Sequence, residues 1–278
     1  MTKIFIMKIL KYVIIILIIL FAFYIGYNGI FPYSSPEWMG FCSTNDKGIP
    51  NPKLLWDWLD LLIIPSSVAL VGWIYKEFEK SKDAKKEYEN KQNETLDSYF
   101  RIISDLIIKD NLLDNDLNND SKIIARTRTI VAIENLSGDR KGQVLQFLHE
   151  SNLIRNNVVD LVGGNFRNSE VSGIVLKGIA IKGVYFCKSE FVKTYLQNTD
   201  FSGCDFSETN FDSSSLENTN LSYTKLLKCK LTNIDLTTVN FEGADLTNAD
   251  LSNSKILQTQ LDKILKKVNI NLTKTQIL

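Results

Sequence analysis

From Leu161 to Leu261 every fifth residue is aliphatic or Phe, twenty-one positions without an exception. Phe166, Phe186, Phe191, Phe201, Phe206 and Phe211 belong to this series, as do Leu176, Leu196, Leu216 and Leu236. Two residues before each lies a second series, mostly small, with Ser169, Ser189, Thr194, Thr199, Cys204, Thr209 and Ser214 among its members. The other three positions are mainly Asn, Asp, Ser, Thr, Lys, Glu and Gly. Such internal repetition constrains the fold more than any local propensity. A period of five fits neither regular element. On a helix, successive large residues would sit about 140° apart around the axis. On a straight strand they would alternate between faces. They stay on one side only if the chain bends once per repeat. The expected result is an all-β solenoid, a coil with one short flat side for every five residues. Neighbouring coils then satisfy each other's backbone N–H and C=O groups at the spacing of a sheet, about 4.8 Å.

This stretch resembles the pentapeptide-repeat proteins, whose pattern is A(D/N)Lxx. The best matches are Ala244-Asp245-Leu246-Thr247-Asn248 and Ala249-Asp250-Leu251-Ser252-Asn253. The resemblance implies a right-handed quadrilateral β-helix over residues 159–263, four repeats to a turn. About five turns would rise roughly 25 Å at strand spacing. Residues twenty apart should stack, with Phe166, Phe186 and Phe206 in one ladder and Leu176, Leu196, Leu216, Leu236 and Ile256 in another. Ile174, Ile179, Ile234 and Val239 are bulky where the family prefers Ala, Cys, Ser or Thr. Their turns are expected to be wider or less regular.

The N-terminal part reads as a membrane hairpin, residues 1–75. Residues 12–31 (YVIIILIILFAFYIGYNGIF) are nearly uncharged and long enough to cross a bilayer as a helix. A cleaved signal peptide is the rival reading, but the run is too long and no A-x-A site follows. A second span is expected over 54–75, although it carries Asp57, Asp60 and Pro65. Trp56, Trp58, Trp73 and Tyr75 would anchor it at the two interfaces. Lys3, Lys8 and Lys11 precede the first span, and Lys76, Lys80, Lys82, Lys85 and Lys86 follow the second, whereas the loop between has only Lys47 and Lys53. The positive-inside rule then places both termini in the cytoplasm, with the chain multi-pass in a bacterial inner membrane. Asp57 and Asp60 share one helix face. At the outer headgroup level they are ordinary residues at a helix N-terminus; at mid-bilayer they would mark a proton or cation pathway.

Residues 76–93 are dense in Lys, Glu, Asp and Gln without Pro or Gly, which predicts a solvated stalk helix. Apolar residues return at Tyr99, Phe100, Ile102, Ile103, Leu106, Ile107, Leu112 and Leu113, so this end must pack on something, such as a copy of itself. An acidic linker closes the stalk region, 76–118. A helical cap is expected over 119–158, because an open solenoid end exposes its core. Its first helix, capped by Asp120 or Ser121, would use Ile123, Ile124, Ile130 and Val131 as its apolar face. Its second would run from Arg140 to about Asn152, capped by Asp139. Residues 264–278 form a C-terminal cap or tail, with DKILKKV from Asp262 as a short helix. The stretches 55–65 and 127–154 also resemble a bacterial subset of pentapeptide-repeat proteins with a membrane hairpin, stalk and cap.

Sequence motifs for chemistry are scarce. The four Cys show no paired spacing, which suits a reducing compartment, and Cys204 and Cys229 read as packing residues. The single histidine, His149, reads as an end-of-helix imidazole. Ser213-Ser214-Ser215 is explained by the repeat register, and Gly163-Gly164 lacks the spacing of a phosphate cradle. No catalytic, cofactor or metal site is expected, and the chain reads as a non-enzyme. The recurring outward Asp and Asn suit the bends, where their side chains bond the local backbone. Apolar residues at outward positions are more informative. Val175 and Tyr195 should stack on one side, and Tyr185 and Cys187 should share another with Leu227. Val175, Tyr185, Tyr195 and Leu227 are therefore the interaction candidates. Asp200, Asp205, Glu208, Asp212 and Glu217 read as a solvated acidic face.

Three functions compete. The first is a non-enzymatic protein-interaction module held at the membrane, with the lipid bilayer and an unidentified protein as partners. Homo-oligomers could form through the hairpin, stalk or β-helix. The second is a membrane-perturbing effector gated by assembly of its soluble part. The third follows from relatives that imitate DNA to bind gyrase. Residues 160–263 hold 13 Asp or Glu against 10 Lys or Arg, a weak excess for such mimicry. The 32 basic and 32 acidic residues of the whole chain give no net charge to attract nucleic acid.

Overall fold

Residues twenty apart lie side by side. In this computed structural model, which describes residues 55–113 and 119–278, parallel pairs join Asn165 to Tyr185, Glu170 to Glu190, Val175 to Tyr195 and Ala180 to Asp200. The same four columns continue upward, for example through Tyr195–Ser215 and Asp200–Asn220. Four pentapeptides thus make one coil of a column with four faces. Coils 1 to 4 are 161–180, 181–200, 201–220 and 221–240, and coil 5 begins at 241. Faces A, B and C are those centred, in coil 2, on Phe186, Phe191 and Leu196, and face D is the one centred on Ile181 in coil 2 and Phe201 in coil 3. Each coil is stitched to the next by the central residue's N–H, as in Phe166 to Tyr185 O at 2.8 Å and Phe186 to Asp205 O at 2.8 Å.

The fifth-residue series fills the interior. Phe166, Phe186, Phe191, Phe201, Phe206 and Phe211 are fully buried, and so are Leu176, Leu196 and Leu236. Phe186 and Phe206 stack with planes 5° apart and centroids 5.2 Å apart, while Phe191 meets Phe186 edge-on. Burial of each such side chain is worth about 1.5–3 kcal/mol. The small series adds a second set of bonds inside the column. The inward hydroxyls of Ser189, Thr194, Thr199, Thr209, Ser214, Thr219 and Ser254 each donate to the carbonyl 23 residues earlier. Thr209 Oγ1, for instance, reaches Phe186 O at 2.7 Å. These hydroxyls are buried yet satisfied, so they cost little and tie each coil to the one before it.

The corners follow from backbone sterics. Every fifth residue from 163 to 253 has a positive φ, with one exception. Gly, Asn, Lys, Glu, Ser and Tyr occupy these left-handed sites; the exception is Thr238, whose branched Cβ resists that region. The outward Asx side chains close the same bends, as Asp235 Oδ1 does by accepting from Thr237 N–H at 3.0 Å.

Beyond coil 5 the structure departs from expectation. The short helix is Gln258–Lys263, not a segment beginning at Asp262. Residues 264–278 are no helical cap: they resume the coil, pairing Lys266 with Asp245 and Asn271 with Asp250, 21 residues apart. Strands β1 (Lys255–Ile256) and β2 (Gln276–Ile277) belong to this last junction. The short helix leaves face D without its rung, and the Gln260 amide bonds Leu236 O and Val239 O there instead.

The contacts divide the chain into Met1–Asp83 and Ala84–Leu278. In the first unit the described backbone belongs to helix α1 (Leu55–Lys109), and Pro65 lies inside that helix without ending it. The expected span 12–31 lies outside the described residues, as do the side chains of 55–64, including Asp57 and Asp60. Among the described residues no helix is long and apolar enough to cross a membrane.

In the second unit the remainder of α1 packs on α2 (Asn119–Asn135) and α3 (Gly138–Glu150). Tyr99, Ile103 and Leu112 are buried, Tyr99 Oη meets Thr129 Oγ1 at 3.0 Å, and the Phe100 and Phe147 rings lie 4.8 Å apart. Helices of the same chain thus cover Tyr99, Ile103 and Leu112 at the apolar end of the stalk, while Leu113 stays exposed. α2 buries Ala125, Thr129, Ala132 and Ile133; of the expected face Ile130 packs against the core, whereas Ile123, Ile124 and Val131 face outward. α3 begins at Gly138 after Ser137, two residues before Arg140, so Asp139 sits in its first turn and not at the cap.

α3 closes the start of the column. Glu170 N–H donates to Gly138 O at 2.9 Å, and Lys141 Nζ donates to Asn165 O at 2.8 Å. The open edge of coil 1 is thereby met on faces A and B. The approach is close enough that a Cβ on Gly142 would lie 1.9 Å from Glu170 O, and one on Gly138 would lie 2.0 Å from Asn168 O. Both obstacles are backbone. Gly142→Ala should therefore destabilise the cap by about 1–3 kcal/mol. A denaturant melt of the variant, showing its midpoint lowered, checks this.

Candidate interaction surface

With its interior filled, the column can meet other molecules only through side chains at outward positions. Val175 and Tyr195 are a directly paired couple on face C, 45% and 48% exposed. Lys177 Nζ lies 5.2 Å from the centre of the Tyr195 ring. Tyr185 sits on face A with Arg167 Cζ 5.2 Å over its ring. Faces A and C are opposite sides of the column, so Tyr185 and Tyr195 form no common patch. Leu227 is half-buried and stands two coils above Cys187 on face A. The four interaction candidates therefore divide into Val175 with Tyr195, and Tyr185 with Leu227.

Tyr223 escaped the sequence reading. It is 66% exposed at a corner with φ 56°, and its ring covers Gly243 in the next coil. A side chain at 243 would collide with that ring, its Cβ 2.5 Å from Tyr223 Cδ1. The signal was an aromatic in a column otherwise made of Gly163, Gly183, Gly203 and Gly243.

The residues weighed for chemistry are placed apart from one another. Ser214 points inward and donates to Phe191 O, while Ser213 holds a corner and Ser215 lies outward. Burial pushes the Cys204 thiol up to about 12, and it raises that of Cys229 as well. His149 is half-buried on α3, and its pKa is lowered first by that burial and then by Arg155. Among the described residues no three His, Cys, Asp or Glu side chains gather as metal ligands. Of the acidic cluster, Asp200 pairs with Lys182 at 2.9 Å, and Asp212 accepts hydrogen bonds from Thr232 and Asn233.

One irregularity lies on face C itself. The pair expected between Ser215 and Asp235 is missing, although Tyr195–Ser215 below it and Asp235–Lys255 above it are both formed. Leu216 N–H and Asp235 N–H make no cross-coil bond, and Asn218 N–H bonds Thr238 Oγ1 at 2.9 Å in place of a backbone carbonyl. The other three faces stay joined at this level through Asp205–Lys225, Asn210–Lys230 and Asn220–Asn240. Two residues account for the gap. Ile234 is buried at a small position, where it fills space and offers no hydroxyl to Phe211 O; Thr238 turns the next corner without the left-handed residue. Ile174 and Ile179 lie in coil 1, which has no coil below it, whereas Val239, bulky as well, sits above an intact rung, Asn220–Asn240. The gap opens into a cavity of about 400 Å³ lined by Ser215, Glu217, Asn233, Asp235, Thr237 and Thr238, among others.

Comparison with known proteins agrees with the repeat geometry. The family model "Pentapeptide repeat region" matches residues 184–264. A pentapeptide repeat protein of the Arabidopsis thaliana thylakoid lumen is 18% identical over 34% of this chain and 63% of its own, with a TM-score of 0.29. One from Nostoc is 16% identical over 49% of this chain and 94% of its own, with a TM-score of 0.24. QnrB1, a plasmid-mediated fluoroquinolone resistance protein, is 20% identical over 41% of this chain and 80% of its own, with a TM-score of 0.17. Comparison with curated proteins finds no match.

Hydrogen bonds from Thr237 hold the Asp235 carboxyl below its ordinary pKa, and those from Thr232 do the same for Asp212. Such groups stabilise the fold fully above the unfolded carboxylate pKa of about 3.9, and that stability is lost as pH falls through the lower folded value. The denaturant midpoint should therefore be flat above about pH 5 and decline below about pH 4. Asp235→Ala with Asp212→Ala should make the acid limb shallower in the same titration.

Proposed function

We propose that this chain is a non-enzymatic protein-interaction module. The observation that carries the reading is the interior: Phe and Leu side chains fill every coil, which leaves no internal site, while Val175 and Tyr195 stand paired and exposed on one face. A rigid column displays such residues without ordering cost at the moment of contact, which favours binding. Aromatic residues at the centre of a patch carry more of the binding energy than the polar residues around them. Face C is the docking surface, and face A with Tyr185 and Leu227 is a second, separate one. The N-terminal segments 12–31 and 54–75 anchor the module to a bacterial inner membrane with both termini cytoplasmic, on the apolar length of the first and the lysine distribution around both.

Crosslinking in membranes, followed by affinity capture of the full chain, tests the reading. Tyr195→Ala should lose a protein that the unaltered chain captures, with thermal stability changed by less than about 0.5 kcal/mol because the residue is outward. An unchanged set of captured proteins would remove face C as the docking surface.

A further inference from the structure

The gap on face C carries an inference about what binds there, and it rests on the reading of that face as a docking surface. We propose that the opening between Ser215 and Asp235 receives a Lys or Arg side chain from an extended partner segment lying along face C against Val175 and Tyr195.

Three independent observations converge on this. The first is space. A cavity of about 400 Å³ falls within the range of about 300–1,000 Å³ usual for binding pockets, and no other face of the column is open at this level. The second is unspent hydrogen bonding. Among the described residues Leu216 N–H and Asp235 N–H have no backbone partner, and the carbonyls they would have met, Asp235 O and Ser214 O, lack those donors too, although Leu216 and Ser214 are buried. Backbone groups are normally paired, so the two carbonyls suit a cationic donor, while the two N–H groups, which Lys and Arg cannot accept from, suit the carbonyls of the partner's extended backbone. The third is charge. Among the described residues Glu217 and Asp235 are the only charged side chains lining the cavity, and neither is in an ion pair. Lys255 stands one coil above Asp235 in the same column but does not close to contact. Two carboxylates with free carbonyls beside them suit a cationic donor, whose several N–H groups can satisfy both kinds of acceptor.

Spacing supplies the rest. Tyr195 is paired directly with Ser215, the lower lip of the opening. From Tyr195 to the middle of the gap is about one and a half coils, roughly 7 Å. In an extended chain, residues i and i+2 point the same way and also lie roughly 7 Å apart. A segment with an apolar residue, any residue, then Lys or Arg therefore places the first on Val175 and Tyr195 and the third in the opening.

The test uses the full-length chain and a capped octapeptide with leucine and arginine alternating at every second position and serine between them. The same peptide with glutamate in place of arginine is the control. Binding by fluorescence anisotropy should be seen with the arginine peptide alone and should weaken with salt. Bound peptide should slow hydrogen exchange in fragments containing Leu216 and Asp235. Glu217→Gln with Asp235→Asn, which keeps the Asx bend, should weaken binding about five-fold or more. Ile234→Ser with Thr238→Asn restores the inward hydroxyl and the left-handed corner, so it should protect the same two amides without peptide and abolish binding. Equal affinity for the glutamate peptide, unchanged binding by either variant, or no change of exchange at Leu216 and Asp235 overturns the proposal. If these fail while Tyr195→Ala still loses its captured protein, the opening is excluded and the docking face stands. If Tyr195→Ala loses nothing as well, both fall.

Discussion

The column depends on one arrangement: a large apolar side chain at the middle of each flat side, with that residue's own N–H bonded to the coil above. Burial and backbone pairing are supplied by the same residue at most centres, although Leu216 stays buried without its cross-coil bond. Phe186 shows this in full, stacked on Phe206 while its N–H meets Asp205 O. The inward hydroxyls reinforce the arrangement from within. They replace what would be unsatisfied polar atoms in a core by bonds to carbonyls one coil back, which is why a protein can tolerate so many Ser and Thr at fully buried positions.

Ends and corners are where this logic needs help. At the start of the column, α3 brings its backbone within contact of coil 1, and Gly138 and Gly142 make that approach possible. Lys141 is buried as it bonds coil carbonyls, and burial is the first cause lowering its pKa. Near the other end the chain leaves the column as a short helix and returns one residue out of phase, with Gln260 standing in for the absent rung. Each device supplies hydrogen bonds to a coil edge that no neighbouring coil can reach.

Much of this was legible because a five-residue period dictates direction. Once the chain must bend every five residues, Phe166, Phe186 and Phe206 have to stack, and Val175 has to meet Tyr195. The bulky Ile234 was also visible as a misfit, but its consequence was not, since Val239 is a similar misfit above an intact rung, Asn220–Asn240. What distinguishes coil 4 is Thr238, and its significance appears only when every other corner is seen to be left-handed. The face of α2 was misread because apolar residues lie on two sides of it, and sequence periodicity does not say which side meets the protein. The hydroxyl bonds span 23 residues, a separation that has no meaning until four repeats are known to close one coil. As for the surface, the residues were found one by one, but their division between opposite faces needed the column itself.

The three-sided junction between coils 3 and 4 has a mechanical consequence. Force applied along the column's axis is shared by every rung joining two coils, and at this level one of the four is missing. On the fourth side a single side-chain bond, Asn218 N–H to Thr238 Oγ1, crosses between the coils, against the two that Gln260 supplies one coil higher. Under load the column would therefore part first there, opening like a book along face C with the opposite face as its spine.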